Sequence, residues 1–209
     1  MKQIDWYLDF ISPFAYLASR SLQKLPDGCD ITPHPILFAG LLKHWETKGP
    51  AEIPAMKQFT FRHISWIAQR ENIPITMPPM HPFNPLKLLR LCIALDSSDA
   101  IVERLFRFVW EDGHSSDNPD QWHALGDELG LVDIDASVSD ATVKGKLLEN
   151  TNNAIAHNVF GVPAFIVDGE HFWGFDSIDF LCGYLADPEL FSSELMRSVD
   201  AMPAGVTRH

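Results

Sequence analysis

The chain has 209 residues, 46% hydrophobic and 21% charged, a globular composition long enough for a sizeable buried core. Its formal net charge of −12 argues against a general nucleic-acid binder, which would carry a basic patch. An anionic small substrate stays open, because a pocket can be locally positive.

The opening "MKQIDWYLDF" runs straight into strand-like sequence, without a signal peptide's apolar region and small-residue cleavage site. No apolar stretch approaches the roughly 20 residues that span a bilayer. The expectation is a soluble, cytoplasmic protein. Cys29, Cys92 and Cys182 are far apart, odd in number and without C-x-x-C spacing, so they read as small buried apolar residues and not as a disulfide framework.

Residues 3–10, "QIDWYLDF", predict a buried strand. Ser12 then stands at a capping position and Pro13 in a first turn, opening an amphipathic helix that the pattern carries to Leu25, before "PDG". "CDITPHPIL", 29–37, predicts a second strand whose prolines favour a sheet edge. Helical spacing follows in 54–71, 85–95 and 99–111, and "NPDQWHALGDELG" and "DATVKGKLLENTNNAIAHNVF" suggest two more helices. From Gly161 the pattern changes: "AFIV" and "HFW" flank Asp168-Gly169, a hairpin signal. Asp176 is then expected to cap a final helix, "SIDFLCGYL". A β-α-β start and a β-β-α end around a helical middle predict a thioredoxin-like α/β fold with an inserted, mainly helical domain. The expected division is 1–38 with 159–209 for the thioredoxin-like domain, and 39–158 for the insertion.

Three stretches carry a resemblance. "DFISPFAYL" resembles the N-terminal motif of the thioredoxin-fold family of 2-hydroxychromene-2-carboxylate isomerases and kappa-class glutathione transferases, relatives of the periplasmic disulfide oxidoreductases. "GVPAFIVDGEHFWGFD" resembles that family's C-terminal signature, and "GPAEIPAMKQFTFRHISWIAQRENIPI" with "HPFNPLKLLR" resembles its helical insertion, closer to the isomerase branch. The resemblance implies glutathione as cofactor, a small aromatic carboxylate as substrate and a homodimer as the assembly. It implies that Ser12 faces the glutathione thiol, where redox members begin C-P-x-C; "SPFA" holds neither cysteine, so no dithiol can cycle there.

The same resemblance implies a cis Val162-Pro163 bond whose Val162 backbone pairs with the cysteinyl unit, and Asp176 with Ser177 at the γ-glutamyl end. It places Asn84 near substrate. Lys57, Arg62 and His81 are candidates for a carboxylate, and Trp173, Trp66 and Phe83 for an aromatic ring. Simpler readings stand beside these: Ser12 and Asp176 as helix caps, Val162-Pro163 as a trans proline at a strand start, Asn84 as a turn former beside prolines. Two departures are visible. "FDS" replaces a polar residue, Asp and Arg, and Met56 stands where members often carry lysine.

The expected activity is isomerisation of 2-hydroxychromene-2-carboxylate or a related unsaturated aromatic carboxylate, through reversible thiolate addition. A kappa-like glutathione transferase is the first alternative, and a non-catalytic thioredoxin-like binding module the second. No H-E-x-x-H, phosphate loop or G-x-S-x-G elbow occurs, and no metal site is expected.

Overall fold

The computed structural model describes residues 1–200, 202, 203 and 205. Four strands form one mixed sheet: β1 (Lys2–Leu8), β2 (Cys29–Pro35), β3 (Ala164–Val167) and β4 (Glu170–Trp173), in the order β2-β1-β3-β4. β1 runs parallel to β2, β3 antiparallel to β1, and β4 antiparallel to β3. The Pro-containing strand β2 lies at an edge, where two missing N–H groups cost least. Asp168 and Gly169 both take positive φ, 52° and 89°, as a two-residue hairpin between β3 and β4 requires.

Between β1 and β2 lies α1 (Pro13–Ser19). After β2 the chain leaves the sheet and forms α2 (Phe38–His44), α3 (Pro54–Glu71), α4 (Leu86–Ala94), α5 (Asp99–Trp110), α6 (Pro119–Glu128), α7 (Ile134–Ser139) and α8 (Ala141–Ala156) before returning to β3. After β4 come α9 (Ile178–Ala186) and α10 (Glu194–Asp200). This is the thioredoxin-like arrangement. Among the described residues no helix is long and apolar enough to cross a membrane.

Several boundaries differ from the sequence reading. The helix after Ser12 ends at Ser19, not Leu25: the Ser19 hydroxyl donates to Tyr16 O at 2.7 Å and Ser21 N–H to Ala18 O at 2.9 Å, tightening the chain into a short 3-10 turn at Leu22–Lys24. The short helices α2 and α7 went unread; α7 starts where the Asp133 carboxylate accepts from Ala136 N–H at 2.8 Å. Asp176 does not cap α9. It sits in a 3-10 turn, Phe175–Ser177, and α9 is followed by a further helix. Cys92 is buried as expected, whereas Cys29 and Cys182 are only half-buried; all three are free thiols.

The alternation along β1 sorts the core into two layers. Ile4, Trp6 and Leu8 enter a large cluster with α1, α3, α4 and α5, while Tyr7 joins Ile36, Leu41, Ala154 and Val159 on the opposite face, under α2 and α8. Trp6 stacks between Phe106 and Phe165 at 6.2 and 6.0 Å, and the Trp110 indole N–H donates to Phe10 O at 2.9 Å. These contacts hold α5 beneath the end of β1. The loop from β1 to α1 is therefore anchored from below by the helical segment.

Asp9 anchors the same loop from the side. Its fully buried carboxylate accepts from Ile11 N–H at 3.0 Å and Phe38 N–H at 2.9 Å, tying the approach to α1 to the start of α2. Burial pushes this carboxyl up to about 7, although the two backbone donors pull the other way. The folded protein thus holds a proton that the unfolded chain has already released. The resulting stability is complete below the ordinary carboxylate range and is lost as pH rises through about 7. Urea unfolding from pH 4 to 8 is expected to show Asp9→Asn flattening the decline of stability with pH, by up to about 1.4 kcal/mol per pH unit. Parallel profiles for the two proteins would show that Asp9 stays ionised in the fold.

Candidate functional site

The site begins where the two halves of the sheet meet. Tyr7 of β1 pairs with Ala164 of β3, so the chain leaving β1 and the chain entering β3 lie side by side. The Ser12 hydroxyl accepts from Ala15 N–H at 3.2 Å, as an N-cap, and donates to Val162 O at 3.2 Å. Pro13 occupies the first helical position. Val162-Pro163 is cis, as the resemblance implies. Pro163 O accepts from Gly174 N–H at 2.9 Å, which places the turn after β4 against the proline loop.

Beside Val162 opens a cleft of about 490 Å³, with Ser12 buried behind that residue. Its walls are Phe14 from α1, a stripe of α3 carrying His63, Trp66, Ile67 and Arg70, and the turn Trp173–Asp176. Its charges are unevenly placed. Glu71 receives Lys24 at 3.1 Å and Arg70 at 2.8 Å, and these partners, Lys24 foremost, hold its carboxyl below the usual range. Arg70 also lies over the Trp66 ring at 4.7 Å. Asp176 and Asp179 face the cleft from the opposite wall.

Trp173 is 55% exposed and rests edge-on against Phe160, with ring centroids 5.1 Å apart. Gly161 makes that position possible: a Cβ there would stand 2.4 Å from Trp173 Nε1. Only a residue without a side chain lets the indole lie against the proline loop.

Among the residues read from the sequence, Val162, Asp176 and Trp173 gather here with Trp66 opposite, while Ser12 and Pro163 are buried behind, Ser12 reaching the lining only through Val162 O. Ser177 lies in the same turn, but its hydroxyl is spent on Gly174 O at 2.8 Å. Phe175 is mostly buried in the core cluster. Lys57, Arg62 and His81 line a separate open cavity of about 620 Å³ on the other side of α3, which shares only Trp66 with the cleft. There the Lys57 ammonium donates to His81 O, and the His81 Nε2–H donates to Ile11 O at 2.9 Å. Burial is the main cause that holds the His81 imidazole below its ordinary pKa. Phe83 packs on His81, and exposed Asn84 accepts from Leu86 N–H at 3.1 Å, as a turn former at the start of α4, outside both cavities. Sequence reasoning missed Phe14, Gly161, His63 and Arg70. The spacing 63, 66, 67, 70 on one helix face was the signal for the last two.

A family model described as DSBA-like thioredoxin domain matches residues 3–186. The 2-hydroxychromene-2-carboxylate isomerase of Sphingobium xenophagum is 32% identical over 202 residues, covering 89% of this chain and 99% of its own. The glutathione S-transferase kappa 2 of Caenorhabditis elegans is 28% identical over 213 residues, covering 90% of this chain and 93% of its own. A solved structure of a 2-hydroxychromene-2-carboxylate isomerase superposes with a TM-score of 0.78 at 24% identity, covering 96% of this chain and 100% of that one, which shows the shared fold.

The packing of Trp173 on Gly161 gives a direct test. Gly161→Ala is expected to displace the indole and shift tryptophan fluorescence, and the shift should vanish when Trp173→Phe is introduced first. An unchanged spectrum in Gly161→Ala would show that the indole does not occupy this position in solution.

Proposed function

Because this chain belongs to the DSBA-like thioredoxin domain family and aligns along nearly its whole length with isomerases and kappa transferases, we propose that it is a glutathione-dependent isomerase of an unsaturated aromatic carboxylate. The observation that carries the reading is the buried Ser12 hydroxyl donating to the carbonyl of Val162, the residue that lines the cleft beside it. Thioredoxin-like geometry is retained, but the residues at this turn supply no thiol of their own.

The cleft suits a borrowed one. The cysteinyl N–H of glutathione takes Val162 O, and the Ser12 hydroxyl, released from that carbonyl, turns to the sulfur. A directed donor favours the thiolate over the thiol. A free thiol of pKa about 8.5 is roughly 3% ionised at pH 7, and one lowered to about 6.5 is roughly three-quarters ionised, a gain of about 25-fold. Asp176 faces the tripeptide's ammonium. The aromatic ring of the substrate lies against Trp66 and Trp173, and Arg70 offers its carboxylate a cation.

Once the ring C–O bond of the substrate has opened, the hemiketal proton passing to the phenolic oxygen, addition of the thiolate turns the double bond of the resulting ketone into a single bond. The bond rotates, the thiolate leaves, and the double bond re-forms in the trans sense with glutathione regenerated. This is covalent catalysis by a bound nucleophile. Similarity to the kappa transferase supports a second outcome, in which the thiolate adds and stays.

Calorimetry with glutathione is expected to show binding, and 2-hydroxychromene-2-carboxylate should isomerise only when glutathione is present, with the free thiol fully recovered. Loss of thiol with accumulation of a conjugate would make the protein a transferase. No binding at millimolar concentration would leave a binding module without this cofactor.

Ser12→Ala separates the cap from the chemistry. Losing the cap should cost about 0.5–2 kcal/mol of stability. The pKa of bound glutathione, followed by thiolate absorbance against pH, should also rise, and turnover should fall. A lowered melting temperature with an unchanged pKa and rate would leave Ser12 a cap alone.

A further inference from the structure

We infer that His63 is the proton donor and acceptor of the isomerisation, a catalytic role that rests on the function proposed above. α3 turns Phe59, His63, Trp66 and Arg70 along one stripe, at steps of four, three and four residues. The His63 ring lies 5.6 Å from Phe59 and 6.2 Å from Trp66, nearly parallel to the latter at 19°, and meets Phe14 edge-on at 6.1 Å. Phe14 stands two residues after Ser12. Three aromatic neighbours thus fix the imidazole beside the first turn of α1.

Its polar atoms are left free. His34, His81, His123 and His157 give ring nitrogens to protein acceptors, whereas among the described residues His63 has no such partner. The other ionisable groups of the cleft are differently disposed. Lys24 and Arg70 are both held on Glu71, while Asp176 and Asp179 face in from the opposite wall. α1 contributes only the uncharged Phe14 to the lining. A carboxylate, ammonium or guanidinium keeps one charge state near neutrality, but an imidazole exchanges its proton there. Among the described residues, His63 is the single imidazole lining this cleft.

The reaction needs such a group. When the thiolate adds to the β-carbon of the ring-opened, unsaturated ketone, the C–S bond forms and the double-bond pair shifts toward the carbonyl. The oxygen would then carry a full negative charge. The His63 imidazolium gives its proton to that oxygen, leaving a neutral enol and a neutral imidazole. The former double bond turns as a single bond. Imidazole then takes the same proton back, the double bond re-forms, the C–S bond breaks and the thiolate departs. No proton or electron is gained or lost over the cycle.

The test compares the unaltered protein with His63→Gln and His63→Ala, with circular dichroism to verify the fold. Turnover in His63→Gln should fall about 100-fold while glutathione affinity by calorimetry changes less than about threefold. The decline of kcat/KM on the alkaline side, where the imidazolium is lost, should disappear, and added imidazole should restore part of the rate to His63→Ala. Turnover within about threefold of the unaltered protein, or a loss explained wholly by weaker glutathione binding, overturns this role alone. No glutathione binding by the unaltered protein overturns the proposed function and this role with it.

Discussion

The site depends on one long-range contact, the Ser12 hydroxyl on the Val162 carbonyl, between residues 150 positions apart. Neither partner brings the other there. The pairing of Tyr7 with Ala164 in the sheet does so, because it sets the chain leaving β1 beside the chain entering β3. Ser12 comes five residues after Tyr7, and Val162 two residues before Ala164. With one hydroxyl and one carbonyl brought to 3.2 Å, the cleft is lined at Val162 by a strand-like acceptor that has a buried donor directly behind it.

Everything else in the molecule holds that contact still and builds walls beside it. Asp9 fastens the loop to α2, and Trp110 fastens Phe10 to α5, so the four residues before Pro13 have little freedom. The cost of the Asp9 anchor is a buried carboxyl whose ionisation the fold resists. α3 then serves two purposes at once. Ile64, Ile67 and Ala68 are buried in the core, while the neighbouring stripe of His63, Trp66 and Arg70 lines the cleft. A helix tolerates this double use because its apolar residues need only one side of it.

How much was legible in the sequence follows the range of the interactions. Asp168-Gly169 announced its hairpin because positive φ at two successive residues is a local demand. The prolines of β2 announced an edge for the same kind of reason. The early end of α1 was illegible, because the Ser19 and Ser21 hydrogen bonds compete with a pattern that still looks helical. Ser12 and Val162 were singled out through the order of their motifs, not through anything in either dipeptide, and the structure joins them by a hydrogen bond. Lys57 shows the limit. Its residue type suited a carboxylate, but one step around the helix carries its ammonium to His81 O, away from the cleft that His63 faces. Gly161 was invisible for another reason: its role exists only because Trp173, twelve positions later, folds back upon it.

The turn after β4 shows how a sequence departure is absorbed. Phe175, where the resemblance implies a polar residue, goes into the core cluster, and the Ser177 hydroxyl satisfies Gly174 O. Asp176 is left as the charged side chain that this turn offers to the cleft. A tripeptide bound here would therefore be held less by its charged end and more by main-chain pairing at Val162. The half-exposed rings of Trp66 and Trp173 add apolar area at the mouth, which a flat aromatic substrate covers better than a peptide does. If the proposed function holds, specificity in such a cleft would move from the cofactor's charged terminus to the aromatic partner. Under the proposed function, the thiol carrier would be gripped by main-chain pairing at Val162, and the substrate by the rings of Trp66 and Trp173.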